Sequence, residues 1–459
     1  MRRRLALGFC LLLVSSACGN RLSRQQILAQ NRVGGGNAAA RSQGFEEGGA
    51  GGSETAAPGE QPGAGAGGGA AGAAQAGRGG TGGGSAAGRG GSGGATGAKA
   101  PITIGFIGWF GGLSGQVAAP TRDAWLAWAK MVNAKGGING HPVEVIVGDN
   151  GGNDTQGVAI ARDFVEKRGA IALSWFTGES GPIAKYAESK SVPVIGLSQS
   201  GAEWNTSPML FPNMPSQDAT AWGAARILKS RGSTKVAGLY CAESVVCRQA
   251  NDQFVNHAKA EGLQVVYSAQ VSIAQPDYTA ECLQMRNAGA QGVRVNSENA
   301  SVIRMAQSCA RQGFKPIWNV GVGEDGMTKL PEFEGATTSS PSFPWFVRSG
   351  SPAVDEYVQA LQKYAPNRLN EGVMSQTWAW TSAKVLEKAA ASAADKPTSQ
   401  DILKGLWAMK GDALGGLAPG PLAFTFTQGK PTPTAYCVFE AVVQTGKWVA
   451  PNGLTPICR

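Results

Sequence analysis

The sequence predicts an α/β protein of two doubly wound parallel-sheet lobes, and three observations carry that prediction. Short β-branched runs alternate with amphipathic helical stretches from residue 101 onward, pause after about 196 and restart near 235; such alternation marks parallel sheets covered by helices. The segments after the predicted strands are short and rich in Gly, Ser, Thr and aromatic residues, and ligands of parallel sheets lie at the carboxyl ends of strands. The 359 residues of 101–459 are enough for two domains.

Ahead of that region the chain differs in kind. Residues 1–17, MRRRLALGFCLLLVSSA, set three arginines before an apolar run from Leu5 to Val14 and then small residues. That is a secretory signal layout, too short for a spanning helix. Cys18 follows Ser-Ser-Ala, which resembles the lipobox of bacterial lipoproteins and implies a lipidated Cys18 holding the protein to the outside of a cell membrane. No later segment offers the uninterrupted apolar run that a membrane helix needs. Residues 18–100 read as a linker: between Gly34 and Gly97 lie 27 glycines, two prolines and one aromatic, Phe45. So little apolar surface cannot offset backbone entropy, and a tether of this length reaches on the order of 50 Å. Residues 1–100 hold ten Lys+Arg against four acids, so only +3 of the net +9 belongs to 101–459. The basic balance is a property of signal and linker, and no nucleic-acid partner is expected.

The elements follow in order. ITIGFIG (102–108) reads as a buried strand, and the next helix repeats Trp125, Trp128, Ala129 and Val132 at the spacing of one buried face. Asn133 and Gly136-Gly137 end that helix, Asn139-Gly140 turns, and VEVIVG (143–148) is the second strand. Helix 155–167, strand 170–174, helix 181–189 and strand 192–196 complete the first series. The second runs strand 235–240, helix 248–261, strand 263–267, helix 279–288, strand 292–296, helix 300–312 and strand 316–320.

The stretch NAKGGINGHPVEVIVGDN (133–150), together with GGLSG, FTGES and VPVIGLSQSG after the first, third and fourth strands, resembles the type I periplasmic binding proteins of the leucine/isoleucine/valine-binding family. FKPIWNVGVGEDG and MSQTWAWTSAKVLEKA fit that family's second half, so the likeness spans roughly Pro101 to Arg459. It implies two lobes joined by three chain crossings that close on a small-molecule solute. Lobe one is about 101–218 plus 350–425, and lobe two about 219–349 plus 426–459. It also implies a monomeric receptor whose partner is the ABC permease in the membrane, without cofactor. Carried over by position, the ligand-binding candidates of lobe one are Thr177, Gly178, Ser198, Gln199 and Ser200, and Ser114 in the loop after the first strand joins them as a candidate. Neutral donors at loop ends suit a ligand carboxylate, while a single such hydroxyl is otherwise a turn cap. Trp109, Phe110, Trp175 and Phe176 flank the same loops and wall the pocket or fill the core, with Trp109 and Phe176 counted among the ligand-binding candidates. In lobe two the candidates are Val245, Glu298 and Glu324. Amino-acid-binding relatives put a carboxylate for the ligand's ammonium just after the last strand; here Val322 takes that position, with Glu324 and Asp325 two and three residues on. The departure points to a non-standard solute, a carboxylate or amide with an apolar or aromatic group.

Catalytic material is thin. His141 and His257 are the only histidines, and no HExxH, P-loop or CxxC occurs, so neither a histidine triad nor a metal site is expected. GVGEDG (321–326) matches GxGxxG after a strand without a helix opening on it. An exported Rossmann-like enzyme is therefore the remote alternative, and a ligand-sensing surface receptor on the same fold the nearer one. Beyond Cys10 and Cys18 six cysteines remain. An even number in an exported chain implies disulfides, with fifteen possible connectivities. Nearest-neighbour pairing is the expectation: Cys241–Cys247, Cys282–Cys309 and Cys437–Cys458. Buried free thiols are the other reading.

Overall fold

The computed structural model describes residues 99–459 except 112–114, 178–179, 198–200, 349, 421–423 and 434. The export signal, Cys18 and the Gly-rich segment up to residue 98 lie outside the described residues.

Strand β1 (Ile102–Gly108) is buried along its whole length, as a central strand with helices on both faces must be. Helix α1 (Gly115–Ala134) turns Trp125, Trp128 and Val132 inward. The reversal into β2 (Val143–Asp149) is then locked by backbone geometry. Gly137 has a φ of 81°, and a Cβ there would lie 2.1 Å from the carbonyl oxygen of His141; only glycine fits. Ile138 and His141 exchange two backbone hydrogen bonds of 2.9 Å around Asn139-Gly140, both at positive φ, the turn that Asn-Gly favours in tight hairpins. The Asn133 amide donates to Val143 O and accepts from Val143 N, both at 2.8 Å. All of this seats the amino end of β2, the far end of the strand from Asp149. The glycines thus shape the entry to β2, at the end of the strand away from the carboxyl edge.

Strands β3 (Ala172–Phe176), β4 (Val194–Ile195) and β5 (Leu210–Phe211) complete a parallel sheet of order β2-β1-β3-β4-β5. One face packs under α2 (Asp154–Arg162), prolonged by a π-turn over Asp163–Lys167, and under α3 (Gly181–Lys190). The other face sends Phe106 and Phe211 into a cluster with Trp125, Trp128 and Trp380. The third strand starts two residues later than the apolar run, and β5 is too short to show a period.

The second sheet begins after α4 (Gln217–Ser230). Its elements are β6 (Lys235–Cys241), α5 (Val245–Ala260), β7 (Gln264–Val271), α6 (Thr279–Asn287), β8 (Gly292–Asn296), α7 (Asn299–Arg311), β9 (Ile317–Val320), α8 (Asp325–Thr328) and β10 (Thr337–Ser340). Helices α9 (Pro352–Tyr364), α10 (Pro366–Glu371), α11 (Ser375–Ala389) and α12 (Ser399–Ala408) follow, then β11 (Cys437–Gln444), β12 (Lys447–Val449) and β13 (Ile457–Cys458). The order is β12-β11-β10-β9-β8-β6-β7, with β13 pairing the start of β11. Strands β6 to β10 are parallel, whereas β11 runs antiparallel to β10, β12 and β13. An antiparallel edge thus flanks the parallel strands: β11 and β12 are joined by Thr445 and Gly446, a connection only antiparallel strands can use. The chain passes between the sheets three times: after β5, after β10 and before β11. Helices α9 and α11 pack on α1 and rejoin the first sheet.

The six cysteines pair with their nearest neighbours, Cys241–Cys247, Cys282–Cys309 and Cys437–Cys458. The second ties α6 to α7 beneath the sheet, the third pins the tail to β11. Replacing Cys282 and Cys309 together by Ala is expected to cost about 3–4 kcal/mol, and Cys241 with Cys247 about 2 kcal/mol, from loop-closure entropy. Denaturant titration of the oxidised proteins measures both; a larger loss from the shorter loop would contradict the assignment.

Candidate functional site

The carboxyl edge of the first sheet gathers several predicted residues. Thr177, directly after β3, is buried, and the Asn150 amide after β2 donates to its hydroxyl oxygen at 2.8 Å. Gly152 N donates to Asn150 Oδ1 at 3.3 Å and fixes which way that amide points. The Thr177 hydroxyl hydrogen has no acceptor among the described residues. Trp109 N donates to Phe176 O at 3.2 Å, and the Trp109 ring lies against Gly152, where a Cβ would be 3.0 Å away. Phe176 stands 5.9 Å from the ring of Trp378 in α11. Phe110 packs on Phe106 at 5.9 Å under the guanidinium of Arg122. Trp175 points to the opposite face, fully buried against Trp204; strand alternation makes it core and removes it as a pocket wall. Ser114, Gly178, Ser198, Gln199 and Ser200 lie outside the described residues.

One helical turn joins this edge to the second sheet. Met374 N, ahead of α11, donates to Gly323 O in the loop after β9 at 3.0 Å. Ser375 Oγ donates to Val117 O of α1 at 2.9 Å, and Trp378 meets Phe176. Four residues of helix span about 6 Å, so the carboxyl edges of both sheets meet at the start of α11.

At the second edge, Val245 opens α5 and is 46 % exposed. Its loop is held by Cys241–Cys247 and by Glu243, which accepts from Ser272 Oγ at 2.7 Å and Ile273 N at 3.0 Å. Glu298 caps α7: its two carboxylate oxygens accept from Ala300 N and Ser301 N at 2.8 Å each. The cap satisfies amides that would otherwise be orphaned. Glu324 accepts from Asn299 Nδ2 at 2.9 Å, and its carbonyl from Trp448 Nε1 at 3.1 Å. Val322 packs against the core. Asp325 stands beside Gly372, and burial pushes its carboxyl above the usual carboxylate range against the pull of Lys329. A separate groove of about 500 Å³, lined by Lys135, Asn139, Lys384 and Leu414 among others, lies beside the turn at the amino end of β2.

Between these loops sits a residue that the sequence reading passes over. Arg294, in the middle of β8, is 6 % exposed. Its Nε donates to Asn296 Oδ1 at 3.1 Å, and its Nη1 to Asn319 Oδ1 at 2.6 Å and Val320 O at 3.3 Å. Asn319 Nδ2 in turn donates to Thr337 Oγ1 at 3.0 Å. A guanidinium only donates, so both amides must turn their oxygens to it. Asn296 Nδ2 is left buried without an acceptor, and Nη2 has none among the described residues. A Cβ on Gly321 would be 3.9 Å from Nη2, so this nitrogen lies at the carboxyl edge, level with the end of β9. No carboxylate is within salt-bridge distance of Arg294 among the described residues. Burial lowers its pKa to about 10, which still leaves it charged at neutral pH.

A family profile described as periplasmic binding protein matches residues 101–446. The chain belongs to the periplasmic binding protein family. The fold is the type I form, with two parallel-sheet lobes. Similar solved structures include a branched-chain amino acid ABC transporter protein from Thermus thermophilus with bound valine. It has a TM-score of 0.69 and 17% identity, with 78% of this chain and 97% of that chain covered. A solute-binding protein from R. palustris in complex with 4-hydroxybenzoate has a TM-score of 0.61 at 19% identity, covering 78% and 97%. A leucine-binding protein from Thermotoga maritima gives 0.62 at 15%, covering 78% and 99%. A search of curated proteins by sequence found no match.

The sequence reading passes over four residues that the fold brings to these edges: Asn150, Arg294, Asn296 and Trp378. A signal existed for one of them, a charge set inside the β-branched run GVRVN. The site geometry also yields a pH test. A carboxyl whose folded pKa is raised favours the fold below its unfolded pKa and loses that contribution as pH rises through the folded value. Asp325→Asn is therefore expected to raise Tm at pH 7–8, with the advantage fading as acidification protonates Asp325. Thermal melts across pH 4–8 check this (range set about the carboxylate pKa); a pH-independent effect would contradict it.

Proposed function

We propose that this protein is the extracytoplasmic solute-binding component of an ABC importer, capturing a small polar solute between its lobes. The observation that carries the reading is the convergence on one turn of α11 of two strand edges with donors that lack an acceptor among the described residues, Thr177 on one and Arg294 on the other. We take lobe one as 101–218 plus 350–425 and lobe two as 219–349 plus 426–459. Closure would bring the two donor sets onto one solute, which is an amino acid, an amide or a related carboxylate. Trp109, Phe176 and Val245 supply apolar surface, and Ser114, Gly178, Ser198, Gln199 and Ser200 further polar groups. The protein acts as a monomer that hands its solute to a membrane permease, held within reach by lipidated Cys18 and the linker 18–100. Valine and 4-hydroxybenzoate, seen in proteins of like fold, set the range of solutes to try.

The test is a thermal-shift screen of the purified protein with branched-chain and aromatic amino acids, amides, ureas and carboxylic acids, 4-hydroxybenzoate included. A solute at a hundredfold over its Kd adds about 2.7 kcal/mol to stability; one class is expected to shift Tm clearly. Turnover of a bound compound would contradict the binding reading. For the anchor, Cys18→Ala is expected to move the protein from the membrane fraction into the medium, since attachment needs the acyl chains. Retention in the membrane would contradict it.

A further inference from the structure

Among the described residues, the buried positive charge of Arg294 at the lobe-two edge has no carboxylate within salt-bridge distance. Arg294 is nine-tenths buried, and its three donor bonds go to neutral oxygens: Asn296 Oδ1, Asn319 Oδ1 and Val320 O. Of the acids in the neighbouring loops, Asp325 lies against Gly372, and the other three are engaged elsewhere. Both oxygens of Glu298 cap α7, Glu324 holds Asn299, and Glu243 holds Ser272 and Ile273. A guanidinium taken out of water without a counter-ion is costly, and the cost falls only when an anion arrives. The hydrogen-bond tally points the same way. With the two amide oxygens committed to the guanidinium, the cluster has a surplus of donors, Arg294 Nη2 and Asn296 Nδ2, and a carboxylate offers only acceptors. Tyr240, the register partner of Asn296 on the adjacent strand, is half-buried beside them and adds an aromatic wall.

We infer that the solute is a carboxylate anion whose acidic oxygens are held at the second sheet by Arg294 and Asn296, and that a ligand turning an ammonium group to this edge is rejected. The inference rests on the solute-binding reading and narrows its substrate class. An ammonium would meet an unpaired guanidinium, where like charges oppose each other, whereas an acid gains a charge-assisted pair.

The experiment uses the whole purified protein and matched probes: 4-methylpentanoate, 4-methylpentanamide and leucine, with benzoate and benzamide as an aromatic pair. Binding is followed by thermal shift and calorimetry in the wild type, Arg294→Met, Arg294→Lys and Asn296→Asp. At least one acid is expected to bind roughly 100-fold more tightly than its amide, and 4-methylpentanoate more tightly than leucine. Arg294→Met should lose about 100-fold in acid affinity, with Arg294→Lys in between. Asn296→Asp supplies the missing carboxylate from within the chain, so it should raise Tm at pH 7 while abolishing acid binding. This arm needs no ligand: an unchanged or lower Tm would overturn the inference. Leucine or an amide binding wild type and Arg294→Met equally well would also overturn it and leave the solute-binding reading standing. A wild type that binds no probe of any class would count against both.

Discussion

Everything at the carboxyl edges depends on how the start of α11 is held. Met374 donates to Gly323 of the second sheet, Ser375 to Val117 beside the first, and Trp378 packs on Phe176 at the end of β3. The helix behind these contacts is buried on nearly every turn and packs along α1. Its polar side chains turn inward as well: Thr381 Oγ1 donates to Thr377 O at 2.8 Å, and Ser382 Oγ donates to the carbonyl of Gly196. A helix so enclosed moves only with its lobe, and the contact to Gly323 joins that lobe to the loop after β9. The two strand edges therefore meet across a short, hydrogen-bonded link.

The chemistry of the two edges follows from the same packing. On the first sheet, the Asn150 amide donates to the Thr177 hydroxyl oxygen, whose hydrogen has no acceptor among the described residues. On the second, strand register sets Arg294 beside Asn319, and the side chain extends along the sheet to the carbonyl of Val320. The face that carries Arg294 also holds Gly238, whose missing side chain admits Asn251 of α5; a Cβ there would sit 2.1 Å from Asn251 Oδ1. On β8 and β9 the opposite face is apolar, with Val293, Val295, Trp318 and Val320 in the core. A charge confined to one face of a buried strand has one direction to go, the edge.

Much of the scaffold was legible because its signals are local. The Trp125/Trp128 spacing declares a buried helix face, and Asn139-Gly140 declares a hairpin turn, since only positive φ closes it. Cysteine parity and proximity along the chain led to the three bridges. The site was legible only in part. Thr177 and Phe176 are found by their place after a strand, but the partner that orients Thr177, Asn150, sits 27 residues earlier on another loop. Glu298 reads as a ligand contact from its position, whereas its carboxylate closes the first turn of α7, which depends on where the helix begins. Trp175 and Phe176 are neighbours in sequence and opposite in orientation. Arg294 escaped because a strand pattern records burial and not the partners that a buried charge lacks.

The most direct measurement is a crystal structure of the protein with its tightest-binding solute. The account predicts density between the two strand edges, with oxygens of the solute within hydrogen-bond distance of Thr177 Oγ1 on one side and of Arg294 Nη2 on the other. A solute that touches only one sheet, or that occupies the groove beside Lys135 and Lys384, would contradict it.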